Sequence, residues 1–141
     1  MKIRFDNRFF QKRKFEPREI KRYFNSALKD FRIASENKEP EVIFDFSYKA
    51  LVKTGIALIA FHNYRVKSRT GHHVKIIEKL SQILKDEDVK FIGDKMRKKR
   101  NLDLYTGGII ISQKEVQEYL KFIKEIINKT EKYLKSQDSL F

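Results

Sequence analysis

The stretch of about residues 41–62 most constrains the fold, because it predicts a helix that has almost no polar face. Its second half is apolar at most positions between Ala50 and Phe61. A helix that is apolar on every side has to be covered on every side, so it is typically the central helix of a bundle. Gly55 lowers helix propensity but lets a neighbouring helix approach closely. We therefore expect a helix crossing at Gly55.

Four further helical patterns surround this central stretch. Apolar side chains recur every three or four residues from Ile20 to Ala34, which is typical of a helix with one buried face. Similar stripes follow in the second half of the chain, and no alternation typical of a strand stands out. Helix starts are suggested by Pro17, Gly71, Asp88 and the capping box of Ser112 and Glu115. The sequence predicts an all-α fold, an antiparallel helical bundle of about five helices over residues 17–137.

Residues 1–16 form an arm that mixes basic and aromatic side chains without a lasting period. One interpretation is that Phe5, Phe9 and Phe10 pack on the bundle. The other is that the arm lies over nucleic acid through its positive charge. The sequence leaves both interpretations open.

The charge balance favours an anionic partner. The chain has 32 Lys and Arg against 19 Asp and Glu, a formal net charge of +13. Such a surplus is typical of proteins that bind nucleic acid, and less often of those that bind an anionic membrane or an acidic protein. The alternative is that the charge serves solubility alone.

The absence of certain patterns narrows the function classes. The chain has no Cys, which excludes disulfides and thiolate metal sites and fits a reducing compartment. No apolar segment follows the basic amino terminus, and no apolar run is long enough to span a bilayer. We expect a cytoplasmic protein with no membrane partner, no cofactor and no metal site.

A charge-dense stretch runs from Lys95 to Tyr105 and is the main candidate for a functional site. Arg97, Asn101 and Tyr105 are four residues apart, so they form one stripe on a helix, with Arg100 beside it. The nearby cations Lys95, Lys98 and Lys99 are expected to bind nucleic acid with Arg97. The alternative is that these cations complement the carboxyl end of a helix dipole and that Tyr105 packs.

The order of these motifs resembles the HEPN family (higher eukaryotes and prokaryotes nucleotide-binding). An amphipathic first helix precedes Tyr48-Lys-Ala-Leu51 and Gly55-Ile-Ala-Leu-Ile59 on the second. Gly71-His72-His73 then opens the third, and Arg100-Asn101 stands near the end of the fourth. The resemblance covers roughly residues 17–135. It implies an RNase motif of Arg, a polar residue, three further residues and His.

Tyr105 occupies the place where this motif has His, and this difference bears on catalysis. Arg100 and Asn101 match the motif, and the resemblance makes Arg100, Asn101 and Tyr105 the catalytic set. Cleavage without a metal needs a base, an acid and a cation for the developing phosphorane charge. A tyrosine ionises about three pH units above neutral pH, a deficit of roughly 4 kcal/mol for its use as a base. His72 and His73 are alternative acid–base groups.

The resemblance implies a metal-independent ribonuclease of the toxin type, or a degenerate relative, that acts on RNA or a nucleotide. It also implies a homodimer and a minimal nucleotidyltransferase as a partner, which could modify Tyr105. The competing hypotheses are a binding or adaptor module that has lost the catalytic His and a helical interaction protein without nucleic acid.

Overall fold

The central helix of the fold is the one that the apolar stretch predicts. The computed structural model describes residues 2–108 and 110–141, apart from the side chains of residues 103–106. The described elements are β1 (Phe10–Lys12), α1 (Pro17–Glu36), α2 (Pro40–Phe61), β2 (Tyr64–Val66), α3 (His72–Leu84), α4 (Glu87–Thr106) and α5 (Gln113–Gln137). Thirteen of the 22 residues of α2 are buried, and α2 contacts each of the other four helices. The predicted all-α bundle of five helices is confirmed.

The close helix approach expected at Gly55 is confirmed. A Cβ atom placed on Gly55 would lie 2.5 Å from Cγ2 of Ile76, so α3 packs directly against the backbone of α2. A second close approach joins α3 to α4, where a Cβ on Gly93 of α4 would lie 2.7 Å from Cγ2 of Ile77. α3 is therefore held between α2 and α4, and its first turn lies close to the second half of α4.

The ends of the helices follow the expected caps with one exception. The Ser112 hydroxyl accepts a hydrogen bond from the Glu115 amide at 3.1 Å, which confirms this half of the predicted capping box. The Glu115 carboxylate lies 3.1 Å from the Lys99 amine. The prediction of Asp88 as the cap of α4 is wrong, because the cap is Asp86, whose carboxylate accepts from the Asp88 amide at 3.1 Å. The Ser81 hydroxyl donates to the Asp86 carbonyl at 2.7 Å, and this bond helps to place the helix start two residues earlier.

A short antiparallel ribbon, absent from the sequence prediction, ties the amino-terminal arm to the bundle. Its register pairs Phe10 with Val66 and Lys12 with Tyr64. The Phe10 side chain is 1% exposed, and Phe5 stacks on Tyr64 with ring centroids 4.2 Å apart. The structure confirms the interpretation in which Phe5, Phe9 and Phe10 pack on the bundle, and the other interpretation stays open. Among the described residues, no helix combines the length and apolarity needed to cross a membrane.

Candidate functional site

An open cleft of about 610 Å³ lies between the start of α3 and the second half of α4. Its lining consists of residues 68–74 together with Arg97, Arg100 and Asn101. The fold creates this cleft because the close packing of α3 on α4 brings a helix start beside a basic helix face. Residues predicted separately from two distant parts of the sequence therefore share one surface.

The start of α3 presents features that attract an anion. Gly71 caps the helix in the left-handed conformation with φ of 84°, and it has no side chain that could satisfy the first amides. No acidic residue stands in the first turn. The first amides of a helix and its dipole give this end a partial positive charge. The cleft therefore has positive polarity from the backbone before any side chain is counted.

Arg97 and Arg100 add two guanidinium groups to the cleft. The two side chains are 21% and 34% exposed and lie three residues apart on α4, so both reach one face. Arg97 Nε is 3.6 Å from an Asp94 oxygen, and Arg100 Nε is 3.8 Å from an Asp45 oxygen. Both distances exceed hydrogen-bonding range, so the carboxylates attract the guanidinium groups electrostatically without satisfying these donors. Arg97 Nε is buried, so a ligand in the cleft would meet the terminal nitrogens of this guanidinium, whose forked arrangement suits an oxyanion.

Tyr48 connects the central helix to this cleft. Its hydroxyl lies 2.9 Å from Nδ1 of His73, and the Arg100 guanidinium carbon lies 5.3 Å from the centre of its ring. The second contact is within the range of a cation–π interaction. Burial raises the pKa of Tyr48 to about 12, although Arg100 and Arg97 oppose the shift. Tyr48 is therefore a neutral hydrogen-bonding group that positions His73 and Arg100.

His73 is neutral at physiological pH. Burial, together with the smaller effects of His72, Arg100 and Arg97, lowers its pKa to about 4. The neutral His73 ring forms one hydrogen bond with the Tyr48 hydroxyl, through Nδ1. It cannot supply a proton at neutral pH in the unliganded protein.

His72 has a different hydrogen-bonding state. Its Nδ1 lies 2.6 Å from the Arg69 carbonyl oxygen, which can only accept, so Nδ1 carries the proton and donates. In the neutral ring this leaves the lone pair on Nε2. The His72 and His73 rings are 4.5 Å apart, and both line the cleft. The carbonyl partner fixes the tautomer of a neutral His72 as one with a free Nε2 lone pair, whereas the Tyr48 hydroxyl can donate or accept and does not fix that of His73.

The structure separates the predicted site residues into two groups. His72, His73, Arg97, Arg100 and Asn101 line the cleft together. Lys95, Lys98 and Lys99 do not line it: the Lys95 amine lies 5.8 Å from the Phe91 ring centre, Lys98 is exposed, and Lys99 pairs with Glu115 at 3.1 Å. Tyr105 belongs to the last turn of α4, and its side chain lies outside the described residues.

The sequence prediction omitted two residues of this site. The sequence placed Tyr48 only on the second helix, in the stretch Tyr48-Lys-Ala-Leu51, and predicted no role for it in the site. Arg69 belongs to the basic connection before α3 and lines the cleft. The only sequence signal for Arg69 was its place two residues before Gly71 in a basic segment.

Within the described part of the chain, no cluster of three or more His, Asp or Glu side chains is arranged to hold a metal ion. Comparisons of the chain with protein-family models, with curated proteins and with solved structures gave no match.

Proposed function

We propose that the protein binds single-stranded RNA in the cleft between α3 and α4 and cleaves it without a metal ion. The observation that carries this proposal is that Arg97 and Arg100 face the first turn of α3, which carries His72 and His73. Two guanidinium groups and a helix start converge on one volume, as phosphate binding requires. The resemblance to HEPN domains supports RNA or a nucleotide as the source of the phosphate.

The proposed reaction is attack by the ribose 2′-hydroxyl on the adjacent phosphorus. His72 Nε2 takes the hydroxyl proton, the 2′ oxygen bonds to phosphorus, and the bond from phosphorus to the 5′ oxygen breaks. Water in the open cleft returns a proton to the 5′ oxygen, giving a 2′,3′-cyclic phosphate and a 5′-hydroxyl. Arg100 stabilises the negative charge that develops on the phosphorane oxygens. Asn101 and Tyr105 complete the set that the resemblance implies, and Tyr105 serves there as a hydrogen-bonding or stacking group.

A second candidate is a binding module without catalysis, and the state of His73 favours it. Because its pKa is about 4, His73 has no proton to give a leaving group at neutral pH. Tyr105 stands where the HEPN motif has His. The cleft then has cations that can bind a phosphate, but among its described residues His72 is the one group suited to proton transfer. This protein would bind RNA without changing it.

Incubation of the pure protein with a labelled oligoribonucleotide in EDTA separates the two candidates. Cleavage that ends in a cyclic phosphate, is absent on an oligonucleotide with 2′-deoxy sugars and is lost in His72→Gln supports the ribonuclease. The matched control is His62→Gln, which should retain cleavage. His62 lies outside the cleft, where its Nε2 is 2.8 Å from the Tyr133 hydroxyl. RNA bound but uncleaved supports the binding module, and no binding contradicts both.

We also propose that the protein forms a homodimer through the outer face of α4, as the resemblance implies. Phe91 and Leu102 are 68% and 62% exposed and lie eleven residues apart, roughly 20° around a helix. These two side chains are the apolar contacts of the proposed interface, and the exposed Lys95 and Lys98 lie between them on the same face. Light scattering should give the mass of two chains, and Phe91→Glu should give one. The matched control is Gln117→Glu on the exposed face of α5, and a single-chain mass for the parent would contradict the dimer.

The partnership with a minimal nucleotidyltransferase rests on the resemblance alone. If such an enzyme acts on this chain, incubation of the two with a nucleoside triphosphate should add the mass of a nucleotide to this protein. Tyr105→Phe should then remain unmodified. The proposed cytoplasmic location rests on the absence of Cys.

A further inference from the structure

We infer that the bound RNA continues out of the cleft along the two-stranded ribbon of β1 and β2, which serves as a second, sequence-independent binding surface for the sugar–phosphate backbone. This inference rests on the proposed function and extends it from one phosphate to a strand of several nucleotides. Its basis is the position of the ribbon, its charge and the state of its cations.

The ribbon and the cleft are continuous through Arg69. Residues 68–71 form one side of the cleft, and they follow β2 directly in the chain. The antiparallel ladder extends one residue beyond the strand, because the Lys67 amide donates to the Phe9 carbonyl at 2.6 Å. The extended segment from Arg65 therefore leads without interruption to the cleft, and a strand leaving the cleft on this side meets it.

The basic side chains of this segment recur at every second position. Arg65, Lys67 and Arg69 alternate along an extended chain, which places successive members on one side. Arg65 and its partner Gln11 are exposed, whereas Phe10 on the opposite side of the ribbon is buried. The face with the cations is therefore the one turned away from the core.

Two cations of this face form hydrogen bonds with uncharged acceptors. Lys67 Nζ donates to the Asn7 carbonyl at 2.6 Å, and Arg69 donates to the Arg8 carbonyl at 2.9 Å. Both acceptors are neutral, so the bonds position the side chains without neutralising them. Residues 2–14 contain six Lys or Arg against one acidic residue, Asp6, which lies 3.8 Å from the Lys75 amine. The ribbon is therefore a strongly positive surface, which suits a polyanion.

The dimensions of the surface match a short strand of RNA. Arg65 to Arg69 span about 13 Å at the rise of an extended chain. A stacked single strand carries a phosphate about every 3.4 Å, so this length corresponds to roughly four phosphates. An electrostatic track of this kind is read through the backbone and not through the bases.

The test compares oligoribonucleotides of four and twelve nucleotides by fluorescence anisotropy over a range of salt concentrations. The ribbon variant is Arg65→Gln with Lys67→Gln, two residues of this face that do not line the cleft. The matched control is Arg22→Gln with Arg32→Gln, which removes the same charge from exposed positions of α1, a helix that contributes no residue to the cleft.

We expect the ribbon variant to bind the four-nucleotide RNA as the parent does, within about twofold. For the twelve-nucleotide RNA, the slope of log affinity against log salt should fall by up to about 1.4, from two lost contacts at about 0.7 each. Equal slopes for the ribbon variant and the α1 control would overturn the inference. In that case binding of both oligonucleotides by the parent would leave the proposed function intact, whereas a parent that binds neither RNA would overturn both.

Discussion

The hydroxyl of Tyr48 lies 2.9 Å from Nδ1 of His73, so the central helix hydrogen-bonds to the first turn of the helix that borders the cleft. Tyr48 also lies under Arg100, whose guanidinium carbon is 5.3 Å from the ring centre. One buried residue thus positions two groups of the candidate site. The consequences of this arrangement for stability and titration can be measured separately from any activity.

Replacement of Tyr48 by Phe should lower the free energy of unfolding by about 1 kcal/mol, because it removes one buried hydrogen bond and leaves a nitrogen of His73 without its partner. Urea unfolding followed by circular dichroism measures this difference. Tyr23→Phe is the control, because the hydroxyl of this half-buried residue makes no hydrogen bond to another described residue. A stability for Tyr48→Phe equal to that of the control would show that the bond contributes nothing.

The neutral state of His73 makes stability depend on pH. In the unfolded chain its pKa is near the ordinary value of 6.5, whereas burial lowers it to about 4 in the folded protein. As the pH falls from about 7 to about 4, the unfolded state takes up a proton first, so the folded state loses stability; below about 4 this loss is complete. We expect the free energy of unfolding to fall by about 1–2 kcal/mol. This is less than the full pKa shift would give, because solvent screens a ring that is only half-buried.

Urea unfolding of the parent and of His73→Gln at pH 7 and pH 4.5 isolates this contribution. Burial also lowers the pKa of His62, which produces a loss in the same direction. The difference between parent and variant therefore matters more than the loss itself. The parent should lose more stability than His73→Gln over this interval, and parallel losses would mean that His73 titrates normally.

A bound phosphate should raise the pKa of His73. Its value is lowered in part by the positive charges of His72, Arg100 and Arg97, and an anion in the cleft opposes these charges. Titration of the imidazole resonances by NMR, with and without a four-nucleotide RNA, measures the shift. The His62 ring is the internal control, since it lies outside the cleft lining. An unchanged His73 pKa in the presence of bound RNA would place the phosphate elsewhere.

Replacement of Gly55 by Ala should destabilise the protein by about 1–3 kcal/mol, despite the higher helix propensity of alanine. The new Cβ would lie 2.5 Å from Cγ2 of Ile76 and 3.3 Å from its carbonyl oxygen, so the backbones of α2 and α3 have to separate. Thermal unfolding measures the change. Asn25→Ala on the exposed face of α1 should be neutral or stabilising, and a neutral Gly55→Ala would show that the two helices are not in contact there.

The helices could be predicted from the sequence because their signals are local. The apolar stripe of α1, the Pro at its start and the Ser112 cap all depend on residues within four positions of one another. The ribbon could not be predicted, because each strand has three residues and the partner of Phe10 is Val66, far along the chain. A strand of three residues is too short to show the alternation of apolar and polar side chains by which strands are recognised in a sequence.

The site was predicted in its residue types but not in its contacts. Arg97, Arg100 and the two histidines belong to separate helices, and only the packing of α3 at Gly55 and Gly93 brings them together. The role of Tyr48 depends on a hydrogen bond to a residue 25 positions away. The sequence distinguished Arg97 and Arg100 from Lys98 and Lys99 only through the helical stripe and the resemblance. It could not show that the two arginines line a cleft with the start of α3 and that the two lysines do not.

The affinity of the protein for a labelled single-stranded RNA, measured by anisotropy in the parent and two charge-matched variants, tests the central claim most directly. Arg97→Gln with Arg100→Gln removes two charges inside the cleft, and Arg22→Gln with Arg32→Gln removes two from α1. Two charge-assisted contacts at about 1.5 kcal/mol each correspond to a loss of roughly a hundredfold. We predict a loss of this order for the cleft variant and less than about threefold for the α1 variant. Equal losses in the two variants, or none in either, would contradict RNA binding in this cleft.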